Sequence, residues 1–312
     1  MERIGAMRQW HTGGTRAPHK PLLVLYAIAR LQSTGSSRVR FTDAEASLKQ
    51  LLVEFGPPGT RPTPQYPFVR LANDGLWELT TDDGSTPSEN LGELRASGAT
   101  GQLAAEFETE LRDDPALCVI VARLLLDREW EQSLHADICA AIGLDIDTFE
   151  VAAAQIRGAA LLNERRRRDP AFRPSVLVAY EFRCAMCGYD GWIDGESVGL
   201  EAAHVRWWAY DGPDTVGNGL CLCSLHHKLL DRGVIGVSEE HTMAVSKQFV
   251  GRSPTARHLV LDLVGRPLTE PQVGEPSPET AHVTWHAEQV FKGPGRELAT
   301  ASSAASNDQP RE

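Results

Sequence analysis

The sequence predicts a mainly α-helical protein with small β elements, an α+β class, arranged as two domains. Three observations carry this. Apolar runs of helical length with start and stop signals fill much of the first half. The β-forming stretches are short and bounded by turn residues. A chain of 312 residues, 42% of them hydrophobic, exceeds the length at which a single core is usual.

Element by element, "KPLLVLYAIARLQ" (20–32) has the length and apolar density of a mostly buried helix, with Pro21 suited to its first turn. "FTDAEASLKQLLVEFG" predicts a second helix, in which Thr42 and Glu45 form a capping box and Gly56 ends the run. A Pro-rich loop, "GPPGTRPTPQYP", follows. "FVRLANDGLWELT" then predicts a hairpin, with Asn73, Asp74 and Gly75 at its turn. Residues 103–158 are expected to be helical in pieces, broken at Asp114-Pro115 and at Gly143. After the basic block "ERRRRDPAFR" comes a short helix in "PSVLVAYEFRC", starting at Pro174. These signals divide the chain into residues 1–158, residues 159–297 and a small polar tail at 298–312 that is expected to be disordered.

Composition excludes several classes. There is no run of about 18 apolar residues to span a membrane, and "MERIGAMRQWHTGG" lacks the apolar core of an export signal. Six Cys in a chain of this size do not make a disulfide scaffold, so a reducing, cytoplasmic setting is expected. The net charge is −11, but it is unevenly spread: residues 78–150 hold 17 acidic and 4 basic residues, whereas residues 1–77 hold 5 acidic and 10 basic. Local patches, not the sum, steer a polyanion, so DNA stays open as a partner beside the plainer reading of solvated faces.

The clearest chemistry lies in the second domain. Cys184 and Cys187 in "CAMC" can grip one ion from a single turn, and Cys223 and His226 in "CSLH" repeat that spacing some way on. A Cys3His set is an ordinary tetrahedral shell for structural Zn²⁺. Cys221 is the alternative fourth ligand, or else a buried strand thiol.

With those four residues assigned, His204 in "EAAHV", Asn218 in "VGNGL" and His227 remain. Their order, with separations of 14 and 9 residues between zinc half-sites, resembles the HNH (ββα-metal) nucleases. The resemblance extends over about residues 164–297 through "LEAAHVRWW", "NGLCLCSLHHKLLDRGVIGV" and, more loosely, "VTWHAEQVFKGPGRE". It implies a DNA endonuclease in which His204 is the general base, Asn218 fixes the hairpin loop, and His227 binds a catalytic divalent cation. Adjacent helix positions point about 100° apart, so His226 can face the zinc while His227 faces a cleft. Many relatives carry Asp or His just before the base, where this chain has Ala203. Glu201 and Asp231 are the candidates to complete the cation's shell, with a salt-bridge or cap role as the alternative for each. Mg²⁺ or Mn²⁺ suits an oxygen-rich set, and Co²⁺ or Ni²⁺ tolerates the imidazole better.

The stretches "APHKPLLVLYAIARL", "YPFVRLANDGLWEL" and "SENLGELRASGATG" resemble the sulfur-binding domain of phosphorothioate-dependent (McrA-like) type IV restriction endonucleases, over about residues 1–155. That resemblance implies double-stranded, phosphorothioate-modified DNA as partner. Sulfur accepts hydrogen bonds poorly, so reading it takes an apolar cup beside cations that hold the phosphate. Tyr66 and Pro67 resemble the cup, with Phe68 behind them as core. His19 and Lys20 stand where the family places cationic contacts, and Arg95 is a further candidate. The plainer reading of Tyr66–Phe68 is strand-entry packing. Two other functions compete: an HNH nuclease reading another modification such as methylcytosine, and a non-catalytic zinc module that binds DNA. Cutting both strands needs two sites, which predicts a homodimer.

Overall fold

The computed structural model describes residues 16–145 and 168–297. The expected domain boundary, the continuation of helix to residue 158, most of the arginine block and the tail at 298–312 lie outside them. The observed class is α+β and mainly helical, as expected. Among the described residues no helix is long and apolar enough to cross a membrane.

The first domain is built around α1 (His19–Thr34), which buries Leu22, Leu23, Leu25 and Ile28 completely or nearly so and ends where Gly35 takes a left-handed φ of 79°. A short β1 (Val39–Arg40) leads directly into α2 (Phe41–Phe55). This entry overturns the capping box. Phe41 N–H is already bonded to the Ala99 carbonyl, so the helix starts two residues early, with Arg40 in place of Thr42 as its N-cap, and Thr42 lies inside it. The Thr42 hydroxyl turns to the Asp43 carboxylate instead, and Glu45 pairs with Arg95.

The expected hairpin is also overturned. Residues 65–74 form α3 (Gln65–Arg70) and a 3-10 turn (Leu71–Asp74), closed by Gly75 in the left-handed region with φ 69°. Pro67 falls in the first turn of α3, where its missing N–H costs nothing. Phe68 then drops into the core, with ring centroids 5.1 Å from Phe41 and 5.5 Å from Trp77. Burial of that side chain outweighs the β-propensity of Phe68 and Val69. Only the second half is a strand: β2 (Trp77–Thr80) pairs antiparallel not with residues 68–72 but with β3 (Thr100–Leu103), beyond α4 (Leu91–Ala96), giving the order β1-β3-β2. Gly101 is required there, since a Cβ would sit 2.3 Å from the Trp77 ring.

The helical pieces that follow are α5 (Ala105–Asp113), α6 (Pro115–Glu129) and α7 (Gln132–Ile142). The two expected breaks stand. The Asp114 carboxylate caps Ala116 N at 3.0 Å ahead of Pro115, and Gly143 ends α7 with φ 74°. A third break, at Trp130–Glu131, has no Gly or Pro to announce it. Trp130 is extended there, its indole buried and donating to the Phe55 carbonyl at 3.0 Å.

In the second domain α8 (Phe172–Ala179) packs on a two-stranded sheet of β6 (Leu200–His204) and β7 (Gly219–Cys223), after a small β4 (Trp192–Ile193)–β5 (Glu196–Ser197) hairpin. α9 (Ser224–Asp231) follows β7 directly, completing a ββα unit. The strands β8 (Ile235–Val237) and β9 (Met243–Val245), α10 (Pro254–Leu259) and α11 (Thr280–Gln289) close the domain. Its core joins Val176, Leu177, Ala203, Leu220, Leu222, Leu230 and Val283.

The two domains pack against each other. Trp207, Tyr210, Trp285 and Val290 belong to the first domain's hydrophobic cluster, and the buried Arg16 guanidinium lies 4.1 Å over Trp207 while donating to the Phe55 carbonyl at 2.9 Å. On α11, His286 is buried and bonded through Nε2 to the Leu230 carbonyl at 3.1 Å, and burial holds its pKa down to about 4. The unfolded chain binds that proton near 6.5, so between the two values the unfolded state holds more protons. Stability contributed by neutral His286 is present above pH 6.5 and is lost as pH falls towards 4, by roughly 3 kcal/mol. Urea unfolding at pH 7 and pH 4.5 should show a smaller loss in His286→Gln than in the wild type; equal losses would rule this out.

Candidate metal centre and catalytic cleft

The four residues with paired spacing come together. Cys184 and Cys187 sit in a tight turn closed by Gly188 N–H on the Cys184 carbonyl at 2.8 Å, and Cys223 and His226 flank the start of α9. All four donor atoms lie within 4.8 Å of one another. His226 Nδ1 is 3.1 Å from Cys223 Sγ and 3.6 Å from Cys184 Sγ, while Cys187 and Cys223 sulfurs are 4.0 Å apart. A tetrahedron with Zn–S bonds of about 2.3 Å has edges of about 3.8 Å, so the set fits a metal such as zinc. His226 Nε2 donates to the Leu259 carbonyl at 2.8 Å, which turns Nδ1 towards the thiols. Cys221 is the buried strand thiol, its pKa pushed up to about 12 by burial.

His227, one position on, faces the other way. Its Nδ1 donates to Glu201 Oε2 at 2.5 Å and its Nε2 to Asp231 Oδ2 at 3.1 Å. Burial opposes charge on this ring, but Asp231 and Glu201 outweigh it and raise its pKa to about 10. The His227 hydrogen bond in turn lowers Glu201 to about 2. Both residues that could replace the function of position 203 thus touch His227, Glu201 from the open side and Asp231 from the buried side.

His204 ends β6, 3% exposed, with its ring stacked on Phe172 at 4.1 Å and its Nε2 donating to Asp214 Oδ1 at 2.8 Å. Asn218 is fully buried: its Oδ1 accepts from Arg206 N at 2.8 Å, and its Nδ2 donates to the carbonyls of Arg206 at 2.9 Å and Pro213 at 3.0 Å. It therefore ties down the loop between β6 and β7. His204 and His227 line one cleft of about 260 Å³ together with Glu201, Arg168, Glu131 and Ser133. Asp214 and Phe172 carry no motif of their own. They are ten residues after and 32 before the base, and only the folded loop brings them to it.

In the first domain the proposed reader residues lie on α1, α3 and α4. Tyr66 is 38% exposed and Pro67 beside it is buried. Burial and then Arg16 hold the His19 pKa below its usual value, and Lys20 Nζ is paired with Asp74 at 2.5 Å. Arg95 forms a two-pronged contact with Glu45 at 2.7 and 2.5 Å, on the α2 side. Arg70, which no sequence signal singles out, has its guanidinium 4.5 Å over the Tyr66 ring and is half exposed. Its i+4 spacing from Tyr66 becomes a signal only once residues 65–70 are read as helix.

A metal-type knuckle flanking a ββα unit, with two histidines at one cleft and a buried asparagine tying the loop behind them, defines the HNH class of endonuclease. Family comparison agrees: residues 184–238 match the HNH endonuclease model. Residues 1–147 match the ScoMcrA-like DNA sulfur-binding domain, so the chain carries that domain followed by an HNH endonuclease domain. No curated protein matches the chain. Among solved structures, the sulfur-binding domain of SprMcrA complexed with phosphorothioated DNA is 24% identical, covering 46% of this chain and 91% of that one, with a TM-score of 0.40. The corresponding ScoMcrA domain complex is 22% identical over 46% of this chain and 94% of that one, with a TM-score of 0.38. The type IV phosphorothioation-dependent restriction endonuclease ScoMcrA is 23% identical, and the match covers 44% of this chain and 26% of that one, with a TM-score of 0.36.

Proposed function

We propose that the chain is a modification-dependent DNA endonuclease, whose first domain binds phosphorothioated duplex DNA and whose HNH cleft hydrolyses phosphodiester bonds nearby. The observation that carries this reading is the convergence of His204 and His227 on one cleft, away from the Cys184–His226 cluster, in a chain that also bears a sulfur-binding domain.

Asp214 accepts the hydrogen bond from His204 Nε2–H and so keeps the proton on that nitrogen, leaving Nδ1 as the base that accepts the attacking water's proton. Phe172 and the Asn218-tied loop hold that ring in place. On giving up the proton it shares with Glu201, His227 Nδ1 would hold the catalytic cation together with that carboxylate, because they share the open side, while Asp231 keeps the Nε2–H. A divalent cation bound there supplies charge stabilisation at the scissile phosphate and the leaving oxygen. A mixed nitrogen and carboxylate pair suits Mn²⁺, Co²⁺ or Ni²⁺ at least as well as Mg²⁺. Tyr66 with Arg70 and Lys20 would meet the modified phosphate. Arg168, at the cleft wall, is placed to meet the strand being cut. Two cuts need two clefts, hence a homodimer, and sedimentation of the DNA-bound protein tests that part alone.

The deciding experiment compares one duplex with and without a phosphorothioate, across these cations. Cleavage confined to the modified duplex is expected. Equal cleavage of both would sink the sulfur reading and leave an HNH nuclease of other specificity. Tyr66→Ala should weaken binding of the modified duplex by about tenfold or more, as loss of an aromatic contact does, with little change for the plain one.

A further inference from the structure

The first domain contributes part of the nuclease cleft. α7 starts directly after the break at Trp130–Glu131, and its first turn faces α9. Ser133 Oγ donates to Asp231 Oδ2, the same oxygen that receives His227 Nε2–H at 3.1 Å. Lys228 donates to the Ser133 carbonyl, and both Lys228 and Arg232 reach Asp137 on α7, at 3.1 and 3.4 Å. Glu131, 4% exposed, accepts from Trp208 N at 2.6 Å and from Arg168 at 2.8 Å. Trp208 belongs to the loop that Asn218 ties down beyond His204.

We propose that Ser133 is a positioning residue for the nuclease site: by fixing the Asp231 carboxylate it orients His227, so the reading domain completes the cutting site. The argument is one of satisfaction. Asp231 is fully buried, and its second oxygen, Oδ1, has no partner among the described residues. The carboxylate's orientation therefore hangs on the two donors to Oδ2. Remove the hydroxyl and only the ring it should orient still holds it. Helix α9, which carries His226 and His227, is likewise held on its exposed side by α7. Cutting would thus depend on the docked first domain and not merely on its delivery of DNA.

This inference rests on the reading of His227 as a cation ligand, and the test separates the two. In zinc-loaded full-length protein, Mn²⁺ binding is measured by calorimetry, and kcat and KM on the modified duplex are measured alongside. Ser133→Ala should weaken Mn²⁺ binding about tenfold and lower kcat by a similar factor with KM unchanged. Ser133→Thr, which keeps the hydroxyl, should restore both. Wild-type Mn²⁺ affinity and kcat in Ser133→Ala, even with a lowered melting temperature, would reduce the contact to domain adhesion and overturn the proposal. His227→Ala distinguishes the failures. If it binds Mn²⁺ like the wild type, the reading of the cleft falls and the proposal with it; if it loses Mn²⁺ while Ser133→Ala does not, the proposal alone falls.

Discussion

Replacing His204 by Ala is expected to slow phosphodiester cleavage about 10²–10⁴-fold, the range a positioned general base contributes, while duplex binding stays intact. Among the described residues the ring is held by its hydrogen bond to Asp214 and its stacking on Phe172, and both serve its orientation. The reader contacts proposed on Tyr66, Arg70 and Lys20 are in the other domain, so affinity and rate should separate. Asp214→Asn should cost less, because it leaves the imidazole present but no longer dictates which nitrogen carries the proton. Single-turnover cleavage with excess protein, paired with a direct binding assay, reads both quantities. Unchanged cleavage by His204→Ala would remove His204 as the base, and a wild-type protein that binds the duplex without cutting it under any divalent cation would favour the non-catalytic zinc module instead.

Removing the metal from the Cys184, Cys187, Cys223 and His226 cluster should have the largest effect on stability. Structural zinc in small modules contributes apparent binding energies of about 10–16 kcal/mol, comparable to or above a domain's whole stability. Those four residues join the turn after α8 to the start of α9, and β7 ends at Cys223. Loss of the ion would free the helix on which His227 rides and leave three thiols unpaired at one point. Chelation, or Cys223→Ser, should therefore abolish the unfolding transition of the second domain and cleavage together. The first domain has its own buried cluster around α1 and should retain a cooperative transition, lowered by loss of the contacts to Trp207 and Tyr210. A melting curve insensitive to strong chelators would remove the structural metal from this account.

The helices with explicit punctuation are legible in the residues alone. α2 ends at Gly56, α6 begins at Asp114-Pro115 and α7 ends at Gly143, each where capping chemistry says it should. Local preference misleads where it meets a packing demand. Thr42 and Glu45 have capping-box spacing, but pairing of β1 with β3 starts the helix before Thr42. Phe68-Val69 looks like strand, yet the core needs Phe68 between Phe41 and Trp77 and turns the segment into helix. Arg70 stays hidden as long as that segment is taken for a strand.

The cleft divides in the same way. The metal knuckle is readable because short spacing along the chain already constrains which donors can share one ion, whereas His204, Asn218 and His227 are readable through the resemblance of their order to the HNH nucleases. The two adjacent histidines face different sites for the plain reason that helix neighbours diverge. Glu201 and Asp231 can be named from the sequence but not placed, and Asp214 and Ser133 carry no signal there, since each role depends on the partner met. Glu201 takes one nitrogen of His227 and Asp231 the other, while Ser133 arrives from a helix 98 positions away. Residue order thus supplies the inventory of chemistry and the local geometry of each motif. The pairing of buried charges is set by the fold, because burial makes each carboxylate seek a donor wherever the chain brings one.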